Sequence, residues 1–178
     1  EYDIPDRIRE LSLAGARLAR DVADEFSTPQ HRRFVLGSVG PGTKLPTLGH
    51  AKFTDLRDAY VESVRGLLEG GIDAVVVETS QDLLQTKAAI IGARHAMHRE
   101  GRAVPVIAQV TVETTGTMLL GSEIGAALSA LEPLGIDLIG LNCATGPAEM
   151  SEHLRHLAKH SRIPLSVMPN AGLPQLGP

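Results

Sequence analysis

The chain has 178 residues, which is long enough for one domain with a hydrophobic core but short for a closed barrel of eight β/α units. Hydrophobic residues make up 43% of the sequence and charged residues 21%, as in globular proteins, which excludes a disordered chain. With 3% aromatic residues and a net charge of -4, the sequence lacks the stacking platforms and basic surface that nucleic-acid binding uses, so we expect no nucleic-acid partner.

The single cysteine and the two ends of the chain bear on its location. Cys143 cannot form an internal disulfide, which favours a reducing compartment, and we expect a cytoplasmic protein. No apolar run is long enough to cross a bilayer, and residues 1–6 lack the features of a signal peptide, so we expect no membrane partner. Because the chain starts without Met and stops after a Gly- and Pro-rich turn, we expect residues 1–178 to be one piece of a longer protein.

Apolar residues at spacings of three and four predict an amphipathic first helix over residues 8–26. Its apolar stripe consists of Leu11, Gly15, Leu18, Val22 and Phe26. A predicted strand, Phe34–Leu36, then enters a Gly- and Pro-rich loop over residues 37–49. The later predicted elements are a helix at 54–69, a strand at 74–77, a helix capped by Ser80, a strand at 104–111, a helix at 122–131, a strand at 138–142, a helix at 147–160 and a strand at 165–168.

The alternation of helices and strands predicts an α/β fold of repeated βα units with five parallel strands. Right-handed crossovers then bring the carboxyl ends of all strands to one face, where we expect the chemistry. The pattern identifies the units but not their closure, so an open doubly wound sheet and part of a barrel both fit. The predicted core residues are Val75, Val77, Ile107, Val110, Leu138, Ile139 and Val167.

Two chemically capable residues follow predicted strands directly. Glu78 ends an apolar strand, where a carboxylate either accepts a cationic group such as an ammonium or is bonded to neighbouring backbone N–H groups. Cys143 is either a nucleophile or soft metal ligand, or a small buried apolar residue. One cysteine cannot complete a thiolate-rich zinc site within this chain.

The loop that follows the first strand resembles a phosphate-binding loop only in part. A P-loop requires Gly, Lys and Ser or Thr in succession, whereas here Thr43 precedes Lys44 and Leu45 follows it. We therefore interpret residues 37–42 as a sharply turning loop whose backbone N–H groups could still bind an anionic group. A non-catalytic α/β ligand-binding domain remains an alternative on this basis.

Four motifs together resemble the homocysteine S-methyltransferase family. They are Leu36–Pro41 (LGSVGP), Val77–Thr79 (VET), Gly140–Ala144 (GLNCA) and Pro169–Pro174 (PNAGLP). Their order and spacing agree with the family, and the resemblance covers the whole chain. It is strongest to the cobalamin-dependent branch of the family.

The resemblance implies a (β/α)₈ barrel, of which this chain would be a single piece holding the third to seventh strands, without the first strands and the last. It also implies a zinc ion at the carboxyl ends of the strands, bound by three cysteines. Cys143 would be the first of these, and the other two, in a Gly-Gly-Cys-Cys segment, are outside this chain. We therefore expect zinc to be absent or weakly bound here and the piece alone to be inactive.

The resemblance further implies that homocysteine is the substrate. Glu78 would contact its amino group, and Asn142 and Ser38 would complete the substrate-binding set. Zinc would bind the homocysteine sulfur as a thiolate near neutral pH, and that sulfur would attack a methyl group to give methionine.

Methylcobalamin is the expected methyl donor, with the folate- and cobalamin-binding modules of the same parent chain as partners. Betaine-dependent and S-methylmethionine-dependent relatives share the Gly140–Cys143 and Pro169–Pro174 motifs, so these two donors remain alternatives.

We predict that the isolated chain self-associates or is marginally stable. The strands at Phe34–Leu36 and Leu165–Met168 would each expose an unpaired edge of a parallel sheet, and such edges pair with other chains. Sedimentation velocity over a range of concentrations measures this. A highly stable monomer at every concentration would contradict the prediction.

Overall fold

The computed structural model describes residues 4–172, in which five helices and five strands alternate after a short 3₁₀ turn, Pro5–Arg7. The helices are α1 (Ile8–Glu25), α2 (Phe53–Glu69), α3 (Leu83–Glu100), α4 (Ile124–Leu131) and α5 (Pro147–His160). The strands are β1 (Leu36–Val39), β2 (Ala74–Ser80), β3 (Val106–Val110), β4 (Leu138–Asn142) and β5 (Leu165–Met168).

The five strands form one parallel sheet in the order β1-β2-β3-β4-β5. The predicted α/β fold is therefore confirmed. A doubly wound sheet reverses its strand order near the middle, whereas this sheet advances one strand at a time in a single direction. Successive right-handed crossovers in one direction place the helices on one face of the sheet, which is the winding of a β/α barrel.

The hydrophobic core lies between the sheet and these helices. Alternate residues of the central strands point into it, and Ile72, Ile90 and Leu131 are almost fully buried beside them. Burying an aliphatic side chain of this size contributes about 1.5–3 kcal/mol before the cost in conformational entropy. The core is therefore sufficient to order the strands that carry the site.

Glycines allow the outer helices to approach each other closely. A Cβ at Gly92 of α3 would lie 2.8 Å from the carbonyl oxygen of Arg57 in α2, and a Cβ at Gly66 of α2 would clash with the carbonyl oxygen of Arg9 in α1. Side chains at these two positions would separate the helices.

At the amino ends of the strands, the sequence Gly-Ile-Asp occurs twice with the same structure. Asp73 accepts a 2.8 Å hydrogen bond from the N–H of Val35, before β1, and Asp137 accepts one of 2.8 Å from the N–H of Val106, at the start of β3. In both cases the aspartate lies directly before one strand, β2 or β4, and its carboxylate binds the backbone at the amino end of the neighbouring strand, β1 or β3. Arg20 of α1 also donates to Asp73, at 2.8 Å, and so ties the first helix to the sheet.

The first strand, Leu36–Val39, begins two residues later and ends three residues later than predicted. Gly37 was predicted to begin a loop, but in the structure it packs against the side chains of Ile72 and Leu67, which would have to shift to admit a Cβ there. Ser38 is therefore a strand residue that faces away from the helices.

The predicted cap of the third helix is wrong, because Ser80 ends β2 and Asp82 caps α3. Asp82 accepts hydrogen bonds from the N–H groups of Leu84, at 2.8 Å, and Gln85, at 3.4 Å, and also from the side chain and N–H of Thr47, at 2.7 and 3.0 Å. The buried Gln85 donates to the carbonyl oxygen of Lys44 at 2.9 Å. The loop after β1 is thus anchored to the start of α3.

The apolar stripe of α1 and one of the predicted core residues, Val167, are exposed. Helix α1 is confirmed, but it contacts α2 through the face that carries Ala16, so most of its apolar stripe points outward and Leu18 is 70% exposed. Val167 is half exposed because β5 is an edge strand of the sheet. Apolar side chains consequently border both edges of the sheet.

Among residues 4–172, the helices are all too short or too polar to cross a bilayer.

We predict that Asp73→Asn destabilises the protein in a pH-dependent way. Burial alone would raise the pKa of the Asp73 carboxyl, but the Val35 N–H and the Arg20 and Arg32 guanidinium groups outweigh burial and hold this pKa below its usual value. A lowered pKa means that the ionised form stabilises the fold above pH 4 and that this stabilisation is lost as the pH falls through the folded-state pKa. We expect Asp73→Asn to lower the free energy of unfolding by about 1–3 kcal/mol at pH 7.

Urea unfolding at pH 7 and at pH 3 measures this effect, and the difference between wild type and Asp73→Asn should shrink at the lower pH. Asp58→Asn, which changes an exposed carboxylate, is the control. It should change stability by less than about 0.5 kcal/mol. A difference for Asp73→Asn that is unchanged at pH 3 would be inconsistent with the lowered pKa.

Candidate functional site

The carboxyl ends of β1, β2 and β4 bring four predicted site residues into one hydrogen-bonded group. Ser38 comes from β1, Glu78 from β2, Asn142 is the last residue of β4, and Cys143 follows it directly. This is the face of a parallel β/α sheet on which binding and catalytic residues occur. We call these four residues the site cluster.

Glu78 lies where β2 departs from regular pairing. Val77 pairs with Ala108 and Ser80 with Val110, so β2 has one residue more than β3 over this stretch, which is a β-bulge. The half-buried carboxylate of Glu78 accepts a short hydrogen bond from the hydroxyl of Ser38 on Oε1, and its Oε2 lies 3.4 Å from Nδ2 of Asn142. Each carboxylate oxygen can accept a second bond, so Glu78 retains capacity for a cationic ligand.

Asn142 is the most buried member of the site cluster, with 1% of its surface exposed. Its Oδ1 accepts a 2.8 Å hydrogen bond from the N–H of Thr79. Its Nδ2 lies 2.9 Å from Oγ1 of Thr79 and 3.2 Å from Sγ of Cys143, in addition to the carboxylate of Glu78. Because the N–H of Thr79 can only donate, this contact identifies the amide atom that faces it as the oxygen, Oδ1.

Three residues of this region other than glycine adopt left-handed backbone conformations. They are Thr79, with φ of 55°, Cys143, with φ of 55°, and Ala144, with φ of 53°. Such angles are unusual for residues with a side chain, and for a β-branched threonine they are rare. Strain of this kind concentrates at binding and catalytic sites and persists only where surrounding contacts impose it.

Backbone hydrogen bonds join the Cys143 turn to the next strand. The N–H of Cys143 donates to the carbonyl oxygen of Met168 at 3.1 Å, and the N–H of Asn170 donates to that of Thr145 at 3.2 Å. The motif that begins at Pro169 therefore starts beside the cysteine turn. Its last two residues, 173 and 174, lie outside the described residues.

The thiol of Cys143 is free and half-buried, so it is available as a metal ligand. Residues 4–172 contain no group of three or more His, Cys, Asp or Glu side chains arranged to hold a metal ion. A zinc site requires three or four protein ligands. Within residues 4–172, Cys143 could therefore supply one ligand to a zinc ion, and the remaining ligands would have to come from elsewhere.

Sequence reasoning missed Thr79 and Gln109. Nothing local to Thr79 indicates its left-handed conformation, which depends on a partner 63 residues away. Gln109 is fully buried on β3, and its Nε2 donates to Oγ of Ser166 on β5 at 2.8 Å, while Oε1 has no partner among the described residues. Gln109 could have been identified in the sequence, because it is the polar residue in the otherwise apolar strand Val106–Val110.

Comparison with known proteins agrees with this geometry. The family model for homocysteine S-methyltransferase matches residues 1–178. The methionine synthase of Mycobacterium leprae is 71% identical over 177 residues, and that of Mycobacterium tuberculosis is 70% identical. In both cases the match covers 99% of this chain, which spans about 15% of the length of these relatives.

Solved structures show the same fold at low sequence identity. The homocysteine methyltransferase MmuM from Escherichia coli, in its apo form, superposes with a TM-score of 0.78 at 21% identity, over 97% of this chain and 64% of that one. A 2,3-dimethylmalate lyase of the PEP mutase/isocitrate lyase superfamily gives a TM-score of 0.60 at 18% identity, over 99% of this chain and 57% of that one. With a family match along its entire length and strand-end motifs gathered at one face of the sheet, the chain belongs to the homocysteine S-methyltransferase family.

Proposed function

We propose that this chain is part of the homocysteine-binding module of a methionine synthase, and that it prepares the homocysteine thiol to accept a methyl group. One observation carries the proposal: a single nitrogen, Nδ2 of Asn142, lies within 3.4 Å of both the Glu78 carboxylate and the Cys143 sulfur. A carboxylate and a thiol are thus close neighbours at the binding face of the sheet.

This pair of groups matches the two ends of homocysteine, which carries an ammonium group and a thiol separated by three carbon atoms. The Glu78 carboxylate accepts the ammonium group, and Ser38, bonded to the same carboxylate, holds it in orientation. The substrate sulfur then lies on the side of Cys143. Asn142 lies between Glu78 and Cys143 and helps to shape the pocket for the substrate.

The proposal also includes a zinc ion, bound in the longer protein. When bound by Cys143 and two further cysteines from outside this chain, zinc would supply a soft Lewis acid that keeps the homocysteine sulfur deprotonated near neutral pH. We expect a cytoplasmic location, because a thiol that acts as a metal ligand must stay reduced and the cytoplasm keeps thiols reduced. The isolated chain, with one of the three ligands, would be inactive.

The proposed methyl donor is methylcobalamin, presented by other modules of the same parent chain that also bind folate. The identity of 71% to a methionine synthase supports this donor. The chain described here would bind the methyl acceptor, homocysteine.

We also propose that the isolated chain associates with itself through the apolar surface beside β1. Leu18, Val22 and Phe26 of α1 are exposed next to Phe34 and Leu36. They border a groove of about 740 Å³ along the unpaired edge of the sheet. An exposed apolar surface beside a strand edge favours association.

The test uses the full-length protein that carries this chain, with zinc content and homocysteine kinetics measured separately. Glu78→Gln removes the charge that accepts the ammonium group, so KM for homocysteine should rise by about 10- to 100-fold while zinc content stays the same. Cys143→Ala removes a metal ligand, so the protein should lose tight zinc binding.

Glu152→Gln, an exposed substitution on α5, is the matched control and should change neither quantity. An unchanged KM in Glu78→Gln would refute the role of the carboxylate. Full zinc content in Cys143→Ala would show that the cysteine is a packing residue.

A further inference from the structure

Thr79 has a backbone conformation that its own side chain disfavours. It lies in the bulge of β2, directly after Glu78, with φ of 55°. A β-branched residue at this angle has its Cβ crowded against the backbone, so the turn would relax toward an extended conformation if nothing held it. Because Thr79 is the next residue after Glu78, such relaxation would redirect the Glu78 carboxylate.

The side chain of Asn142 supplies the contacts that hold this conformation. Its two polar atoms bond to the same residue, Oδ1 to the N–H of Thr79 at 2.8 Å and Nδ2 to its Oγ1 at 2.9 Å. Two bonds from one planar amide fix both the backbone and the side chain of Thr79. Asn142 is itself held in place, because it is buried and its backbone carbonyl oxygen accepts a hydrogen bond from the hydroxyl of Thr111.

We propose that Asn142 is a positioning residue that acts through Thr79: it holds the left-handed turn after Glu78 and so aims the Glu78 carboxylate at the homocysteine ammonium group. The inference rests on the proposed function of the site. It assigns Asn142 an indirect role in substrate binding.

The hydrogen-bonding capacity of the amide supports an indirect role. Oδ1 already accepts from a backbone N–H, and the two hydrogens of Nδ2 face three acceptors. Of these three contacts, the one to Glu78, at 3.4 Å, is the longest, and the one to Thr79 is the shortest. A direct bond from Asn142 to the substrate would have to replace contacts that the folded protein already makes.

The test is a rescue experiment in the full-length protein. Asn142→Ala should weaken homocysteine binding by about tenfold or more, because Thr79 is no longer held. Glycine adopts left-handed angles without a side-chain penalty, so adding Thr79→Gly to Asn142→Ala should recover most of this loss. Homocysteine affinity is measured by calorimetry on protein of known zinc content, alongside KM and kcat.

The control adds Thr114→Gly, a substitution at an exposed turn, to Asn142→Ala and should recover nothing. If Asn142 bound the substrate directly, or only filled space, Thr79→Gly would not restore affinity, and that result would overturn the inference. Should Asn142→Ala not fold, Thr79→Gly must restore folded protein as well, and a double variant that is equally unfolded overturns the inference too.

The outcome for wild type separates this inference from the proposed function. If the wild-type protein does not bind homocysteine, the proposed function fails. If wild type binds it and the double variant shows no recovery, the positioning role alone fails.

Discussion

The hydrogen bonds between Asn142 and Thr79 cross the sheet from β4 to β2 and pass over the end of β3, which lies between them. Backbone pairing joins only neighbouring strands, so a side chain has to make this connection. The arrangement of the other site residues follows from it. Glu78 directly precedes Thr79 and Cys143 directly follows Asn142, so one buried amide lies between the carboxylate and the thiol and contacts both.

The two ends of the sheet use polar side chains for different purposes. At the amino ends, Asp73 and Asp137 accept from the first N–H groups of neighbouring strands, so their contacts fix strand positions. At the carboxyl ends, polar contacts accompany left-handed conformations at Thr79 and Cys143, and a carboxylate and a thiol are half-buried there. This division between a stabilising end and a binding end is general among β/α barrels.

The order of elements and the face that carries the site could be predicted from the sequence, because both depend on local patterns. Apolar runs locate β2 and β4, and the first polar residue after each run lies near the carboxyl end of its strand, although β2 continues to Ser80. Strand order could not be predicted from periodicity, since it depends on which strands pair. The bulge at Thr79 and its conformation also could not be predicted, because the side chain that contacts Thr79, Asn142, is 63 residues away in sequence. The end of β1 was misplaced because the small residue Gly37 indicates a turn in the sequence, whereas in the structure it is a strand residue that packs against Ile72 and Leu67.

The most direct test of this account is a crystal structure of the full-length protein with homocysteine bound. The account predicts the ammonium nitrogen within hydrogen-bond distance of the Glu78 carboxylate, the substrate sulfur on the side of Cys143, and the amide of Asn142 still bonded to the N–H of Thr79. An ammonium group bound away from Glu78, or an Asn142 side chain turned from Thr79 onto the substrate, would contradict it.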